Sequence, residues 1–153
     1  MDVWDEADQA AMREALSEAQ AAANSEEVPV GAIVVSSGQI IGRGHNRSIV
    51  DSDPSAHAEV VALRQAAQEA GNHRIPGATV YVTLEPCAMC VGAMIQARIS
   101  RVVFGAYDER AGAAGSVVDL SAVPEFNHRI EVNGGLFADE AAGILTTFFE
   151  AQR

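Results

Sequence analysis

Two short segments of this 153-residue chain gather the residue types that hold metals and move protons. One is His57-Ala58-Glu59 and the other is Pro86-Cys87-Ala88-Met89-Cys90. On a helix, residues three apart are neighbours, so the Cys-x-x-Cys spacing puts both sulfurs on one face. The unpaired N–H groups and dipole of a helix N-terminus lower a thiol's pKa, and thiolate is the form that binds metal. With one imidazole added, the chain offers three protein ligands. Three ligands leave the fourth position of a tetrahedral zinc open to water, the catalytic rather than the structural arrangement. Glu59 completes the chemistry, because zinc lowers the pKa of bound water toward about 7 and a nearby carboxylate can carry its proton to a leaving group.

Geometry sets a condition on this reading. Residues two apart on a helix point about 200° apart around the axis, so His57 and Glu59 can converge only at a first turn. The helix-start signal Asp53-Pro54-Ser55 places them near one. Other uses of the cysteines stay open at this point. The pair could be a redox couple, or a structural zinc site with His45, His73 or His128 as fourth ligand.

The positioning elements follow from periodicity and punctuation. Residues 5–23 form an amphipathic helix with Met12, Ala15, Leu16, Ala19 and Ala23 as its stripe. The run Val28 to Val35, the turn Ser36-Ser37-Gly38 and the return Gln39 to Gly44 predict a hairpin. A helix is expected from His57 to Ala70, stopped at Gly71. Thr79 to Leu84 is a strand, and Pro86 opens a helix to about Arg98. Arg101 to Gly105 and Arg129 to Val132 are further strands, and Ala138 to Ala151 a last helix. Strands alternating with helices predict an α/β domain with helices on both faces of one mixed sheet.

Composition bounds the rest. The chain is 48% hydrophobic and 20% charged, a folding composition of one-domain length. It holds no apolar run of membrane-spanning length, about 20 residues. The acidic start Met1-Asp2-Val3-Trp4-Asp5-Glu6 has no apolar signal region, and two cysteines make no disulfide framework. A cytoplasmic protein, residues 1–153 as one domain, is the expectation. Net charge is −11, with no lysine among the ten bases. Such a field repels polyanions, so a nucleic-acid partner would need a local cationic patch.

The two segments together form the His-x-Glu…Pro-Cys-x-x-Cys signature of zinc deaminases. The longer run Thr83 to Ile95 with Arg98-Ile99 resembles the bacterial tRNA adenosine deaminases, as do Val103 to Ala106 and Gly112 to Ser116. Upstream, Val28 to Ala32, Gly42 to Asn46 and Asp53 to Glu59 resemble the same family. That resemblance implies a three-layer α-β-α cytidine-deaminase-like fold with about five strands. It also implies one zinc per subunit on His57, Cys87 and Cys90, with Glu59 as proton carrier, and a homodimer that converts the wobble adenosine of a tRNA anticodon stem-loop to inosine.

By the same resemblance Asn46 would hydrogen-bond the flipped base and Val30 pack against it. Asp108 would hold the sugar, Asn127 reach across the dimer, and Phe149 lie near the bound loop. The chain departs from the family in its acidity and in ending at Glu150-Ala151-Gln152-Arg153 without a basic extension. The expected phosphate partners reduce to Arg47, Arg98, Arg101, Arg110, Arg129 and Arg153. Two rivals remain: a deaminase of free bases or nucleosides on the same zinc core, and a non-catalytic zinc-binding or RNA-binding module. Glu59 argues against the second, since a structural site has no use for an unliganded carboxylate.

Overall fold

A computed structural model describes residues 4–152; Met1 to Val3 of the acidic start, and Arg153, lie outside the described residues. Helix α1 (Glu6–Asn24) begins at Asp5, whose carboxylate accepts from the Asp8 N–H while the Asp8 side chain accepts from the Asp5 N–H. This reciprocal cap satisfies two of the N–H groups a helix start leaves unpaired. Strands β1 (Gly31–Ser36) and β2 (Gln39–His45) form the expected antiparallel hairpin. Helix α2 (Ala58–Ala70) stops where predicted, with Gly71 in the left-handed conformation at φ 67°. Strand β3 (Thr79–Leu84) and helix α4 (Ala138–Ala151) have the predicted bounds. Helix α3 runs Ala88–Gln96, and strands β4 (Arg101–Ala106) and β5 (Glu131–Gly134) follow their predictions within two residues.

The five strands make one sheet in the order β2-β1-β3-β4-β5. β1 is antiparallel to both β2 and β3, whereas β3, β4 and β5 are parallel. The mixed sheet is therefore as expected. Alternation along the strands sends side chains to two cores. Val34, Val82 and Phe104 pack with α2 and α3 residues such as Leu63 and Met94. Ile33, Tyr81 and Val103 face the other way, onto Met12 and Leu16 of α1 and Ala141 of α4. The result is the predicted α-β-α sandwich.

At the site two elements start later than expected, and one of them also ends early. Pro86 and Cys87 are not helical; Cys87 is the extended N-cap of α3 (ψ 175°). The helix ends at Gln96, two residues before the predicted Arg98, which adopts φ 60°. The run from Val28 also enters the sheet only at Gly31, because the Val30 N–H turns back onto the Val28 carbonyl at 2.9 Å. The two late starts leave chain free to line the site.

Behind β3 and β4 a polar group is buried with its partners. Asp8 is 3% exposed and accepts from the Tyr81 hydroxyl at 2.7 Å and from Arg101 at 2.8 and 3.2 Å. Burial alone would raise its pKa, but the Arg101 and Tyr81 hydrogen bonds hold it below the ordinary carboxylate value.

Candidate active site

Helices α2 and α3 start at the same end of the sheet and carry the two motif segments together. His57 is the N-cap of α2, in extended conformation (φ −72°, ψ 155°), so its side chain does not follow the helical wheel. That departure removes the geometric objection: His57 reaches past the helix end while Glu59 points inward from the first turn. The His57 Nδ1 lies 3.5 Å from Cys87 Sγ and 3.5 Å from Cys90 Sγ. Tetrahedral zinc, with Zn–S about 2.3 Å and Zn–N about 2.0–2.1 Å, has S···N edges of about 3.5 Å. The donor set, one imidazole and two thiols with ligand atoms within 4.8 Å of one another, fits that metal.

None of the alternative fourth ligands reaches this group. His45 Nδ1 pairs with Glu18 at 2.9 Å, His128 Nε2 meets the Ile99 carbonyl, and the described metal-holding group consists of His57, Cys87 and Cys90.

Charge within the group is unevenly placed. Hydrogen bonds from Cys90 and His57 bring Cys87 down to about 4, the thiolate range. Cys90, hydrogen-bonded to that thiolate and buried, is pushed up. His57 is raised by the same thiolate. Glu59, 4% exposed, is pushed up to about 7 mainly by burial. A carboxyl near neutrality is matched to giving and taking a proton at cellular pH.

These groups open on a cavity of about 300 Å³, the size of a small-molecule site. Val30, Asn46, His57, Glu59, Cys87 and Asp108 all line it, which gathers six of the predicted residues. Asn46 is also tied to the backbone. Its Nδ2 donates to the Val28 carbonyl at 3.0 Å and its Oδ1 accepts from the Ala58 N–H at 2.9 Å. The side chain joins the entry to β1 with the start of α2. Phe149 stands apart, 48% exposed on α4 with its ring against Phe148. Asn127 is exposed in the connection before β5. Neither is among the residues lining the cavity.

Two lining carboxylates escaped sequence reasoning, Glu27 and Glu85. Each is 2% exposed. Glu27 accepts from the N–H groups of Ile49 (3.1 Å) and Val50 (2.8 Å). Glu85 accepts from the N–H groups of Asp108, Ala114 and Ser116 and from the Ser116 hydroxyl. Burial would raise Glu85, but those donors hold it below the ordinary value. The one signal for it in the sequence is a charged residue between an apolar strand and a metal-type Cys pair.

Of the predicted phosphate partners, three are engaged elsewhere. Arg101 is held by Asp8 and Glu131, partly exposed Arg47 pairs with Asp51 at 2.9 Å, and Arg98 donates to the Ile95 carbonyl at 2.8 Å. Arg110 and Arg129 make no ion pair among the described residues.

The sequence matches the MafB19-like deaminase family over residues 6–153. The chain belongs to that family. This deaminase is 47% identical over 152 residues to the tRNA-specific adenosine deaminase of Haemophilus influenzae, covering 99% of this chain and 88% of the relative. Among solved structures it resembles one from studies of A-to-I editing by tRNA:A34 deaminases at the wobble position of transfer RNA. There the TM-score is 0.86 and the identity 43%, over 89% of this chain and 99% of that one. It also resembles a guanine deaminase from Nitrosomonas europaea, with TM-score 0.76 and 27% identity over 92% and 83% of the two chains. The deaminase is thus an enzyme with the cytidine-deaminase-like fold. No helix among its described residues is long and apolar enough to cross a membrane.

Proposed function

We propose that this enzyme hydrolyses the wobble adenosine of a tRNA anticodon stem-loop to inosine, as a cytoplasmic homodimer with one zinc per subunit. Residues 1–153 act as its single deaminase domain. One observation carries the chemistry: the His57–Cys87–Cys90 group beside buried Glu59 on a nucleobase-sized cavity. Similarity to tRNA-specific adenosine deaminases over nearly the whole chain carries the substrate.

His57, Cys87 and Cys90 would hold the metal. When bound there, zinc polarises a water and lowers its pKa toward about 7. Glu59 takes one proton from a water in the cavity and gives it to adenine N1 as the water oxygen bonds to C6. It then carries that oxygen's second proton to the amino group, which leaves as ammonia when the C6–N bond breaks; its burial tunes it for both transfers. Val30 gives the base an apolar wall. Asn46, already fixed by the backbone, presents a rigid amide to its edge. Asp108 holds the sugar from the opposite rim, and an unstacked loop base is the kind of target such a pocket can read. Asn127 and Phe149 lie outside the cavity and act, in this reading, through the dimer and the bound loop.

The guanine deaminase likeness and the small cavity favour one rival, a deaminase of free bases or nucleosides. The deciding experiment incubates the zinc-loaded protein with an anticodon stem-loop and sequences the product. Adenosine-to-inosine change at the wobble position is expected. A kcat/KM for free adenosine, guanine or cytosine equal to that for the stem-loop would establish the rival instead.

A further inference from the structure

The connection from β4 to β5 carries Asp108 and Ala111 to the cavity rim, and it contains no long regular element to hold it there. Its fold is organised around one side chain from another segment. Glu85 sits at the end of β3, two residues before Cys87, with its carboxylate turned into the loop. Oε1 accepts from the Asp108 N–H at 3.1 Å and from the Ser116 hydroxyl. Oε2 accepts from the N–H groups of Ala114 at 3.1 Å and Ser116 at 3.0 Å. The Glu85 N–H itself is bonded to the Ala106 carbonyl at 2.8 Å. A second observation agrees: a Cβ placed at Gly112 would overlap the Glu85 carboxylate and the Asp108 carbonyl, so the loop passes there as bare backbone.

We propose that Glu85 is a positioning residue for substrate, its carboxylate clamping residues 108–116 so that Asp108 forms the cavity wall opposite Asn46. The proposal rests on the nucleotide-binding reading of that wall. The clamp is an ionic acceptor for four donors that a neutral side chain cannot satisfy, and hydrogen bonds to a charged group are about twice as strong as neutral ones. Because Pro86 and Cys87 follow directly, one short segment fixes both a metal ligand and the substrate wall. Any displacement of the loop would change how the sugar is held before it changed the metal group.

Glu85→Gln replaces one acceptor oxygen by an NH2 that faces backbone donors. Hydrogen exchange tests the clamp without substrate: the amides of Asp108, Ala114 and Ser116 should exchange at least tenfold faster, with zinc content still one per chain. KM for the stem-loop should rise about tenfold or more. In an Asp108→Ala background the same replacement should raise KM less than threefold, since the residue it acts through is gone.

Ser116→Ala removes one donor from an exposed position. It should raise KM about threefold in the wild-type background and not in Asp108→Ala, which keeps the test intact if Glu85→Gln does not fold. Unchanged exchange at the three amides overturns the clamp. Equal KM effects in the two backgrounds, or loss of zinc from Glu85→Gln, overturn the positioning role. A wild-type chain inactive on the stem-loop but clamped as described refutes the tRNA reading and the substrate half of this proposal together.

Discussion

Gly44 lies on β2 where α2 crosses the sheet, and its lack of a side chain sets how closely that helix can approach. A Cβ there would stand 2.8 Å from the Ala62 nitrogen and 2.8 Å from the Val61 Cβ, both fixed parts of α2. Apolar carbons rest at about 3.5–4.0 Å, so Gly44→Ala requires α2 to withdraw by about 0.6 Å or more. His57 and Glu59 stand at the start of the same helix and move with it. The His57–sulfur edges of 3.5 Å then lengthen beyond what zinc accepts, since ligand distances tolerate only about 0.2 Å.

Overpacking of this kind costs about 1–3 kcal/mol, which for a chain of this size lowers Tm by roughly 2–12 °C. Reacting groups need placement within about 0.5 Å, so deamination should fall about tenfold or more beyond any loss of folded protein. Zinc per chain after dialysis, Tm and stem-loop deamination are the measurements. Met12→Ala is the control. That residue is fully buried on the α1 face of the sheet, so the variant should lose about 2–5 kcal/mol yet keep zinc and rate per folded molecule. If Gly44→Ala binds zinc like wild type and works within threefold of it, the close approach does not position the site and the reasoning fails.

Three further outcomes are expected. Glu59→Ala keeps zinc and loses turnover, whereas Cys87→Ala loses metal and stability together because binding is coupled to folding; metal analysis and melting of the two proteins separate the roles. Asp8, with its folded pKa depressed below 3.8, contributes stability that is complete above that value and fades as pH falls through the folded pKa. Asp8→Asn should therefore destabilise at pH 7 and flatten the acid limb below about pH 4 in urea titrations. For RNA, with Arg47 and Arg101 engaged, few phosphates are contacted, and each adds about −0.7 to the slope of log K against log salt. A slope near −2 by Kd titration fits this, Arg110→Gln should lower it by one unit or less, and a slope steeper than about −5 refutes it.

What the sequence shows and hides divides along physical lines. Thr79–Leu84 and Ala138–Ala151 are legible because an apolar β-branched run and a 3.6-residue stripe each have one low-energy arrangement. Pro86 misled, because proline favours a helix's first turn but here precedes an extended N-cap that must face the metal group. Val28 to Val30 are as apolar as the strand they precede, and apolarity does not distinguish a sheet interior from a cavity wall. The motif residues are legible because their types are rare in combination. Glu27 and Glu85 are not, since a carboxylate in sequence looks like solvated charge until the loops supply its backbone donors. For Asn46 the family resemblance implies a base contact, whereas its structural ties to Val28 and Ala58 come from residues 18 and 12 positions away and leave no local pattern.

The cavity walls come from separate connections at one end of the sheet: the entry to β1, the exit of β2, the turn after β3 and the loop after β4. The metal group hangs on two helix starts whose spacing is set by sheet packing instead. Except at the turn after β3, where Glu85 and Cys87 share one short segment, specificity and reactivity are therefore under different structural control. A lineage could rewrite any of the other three walls, by altered length or composition of a single connection, without ever passing through a sequence that cannot hold its metal. The scaffold constrains what chemistry is inherited, and the loops leave the identity of the base free to diverge.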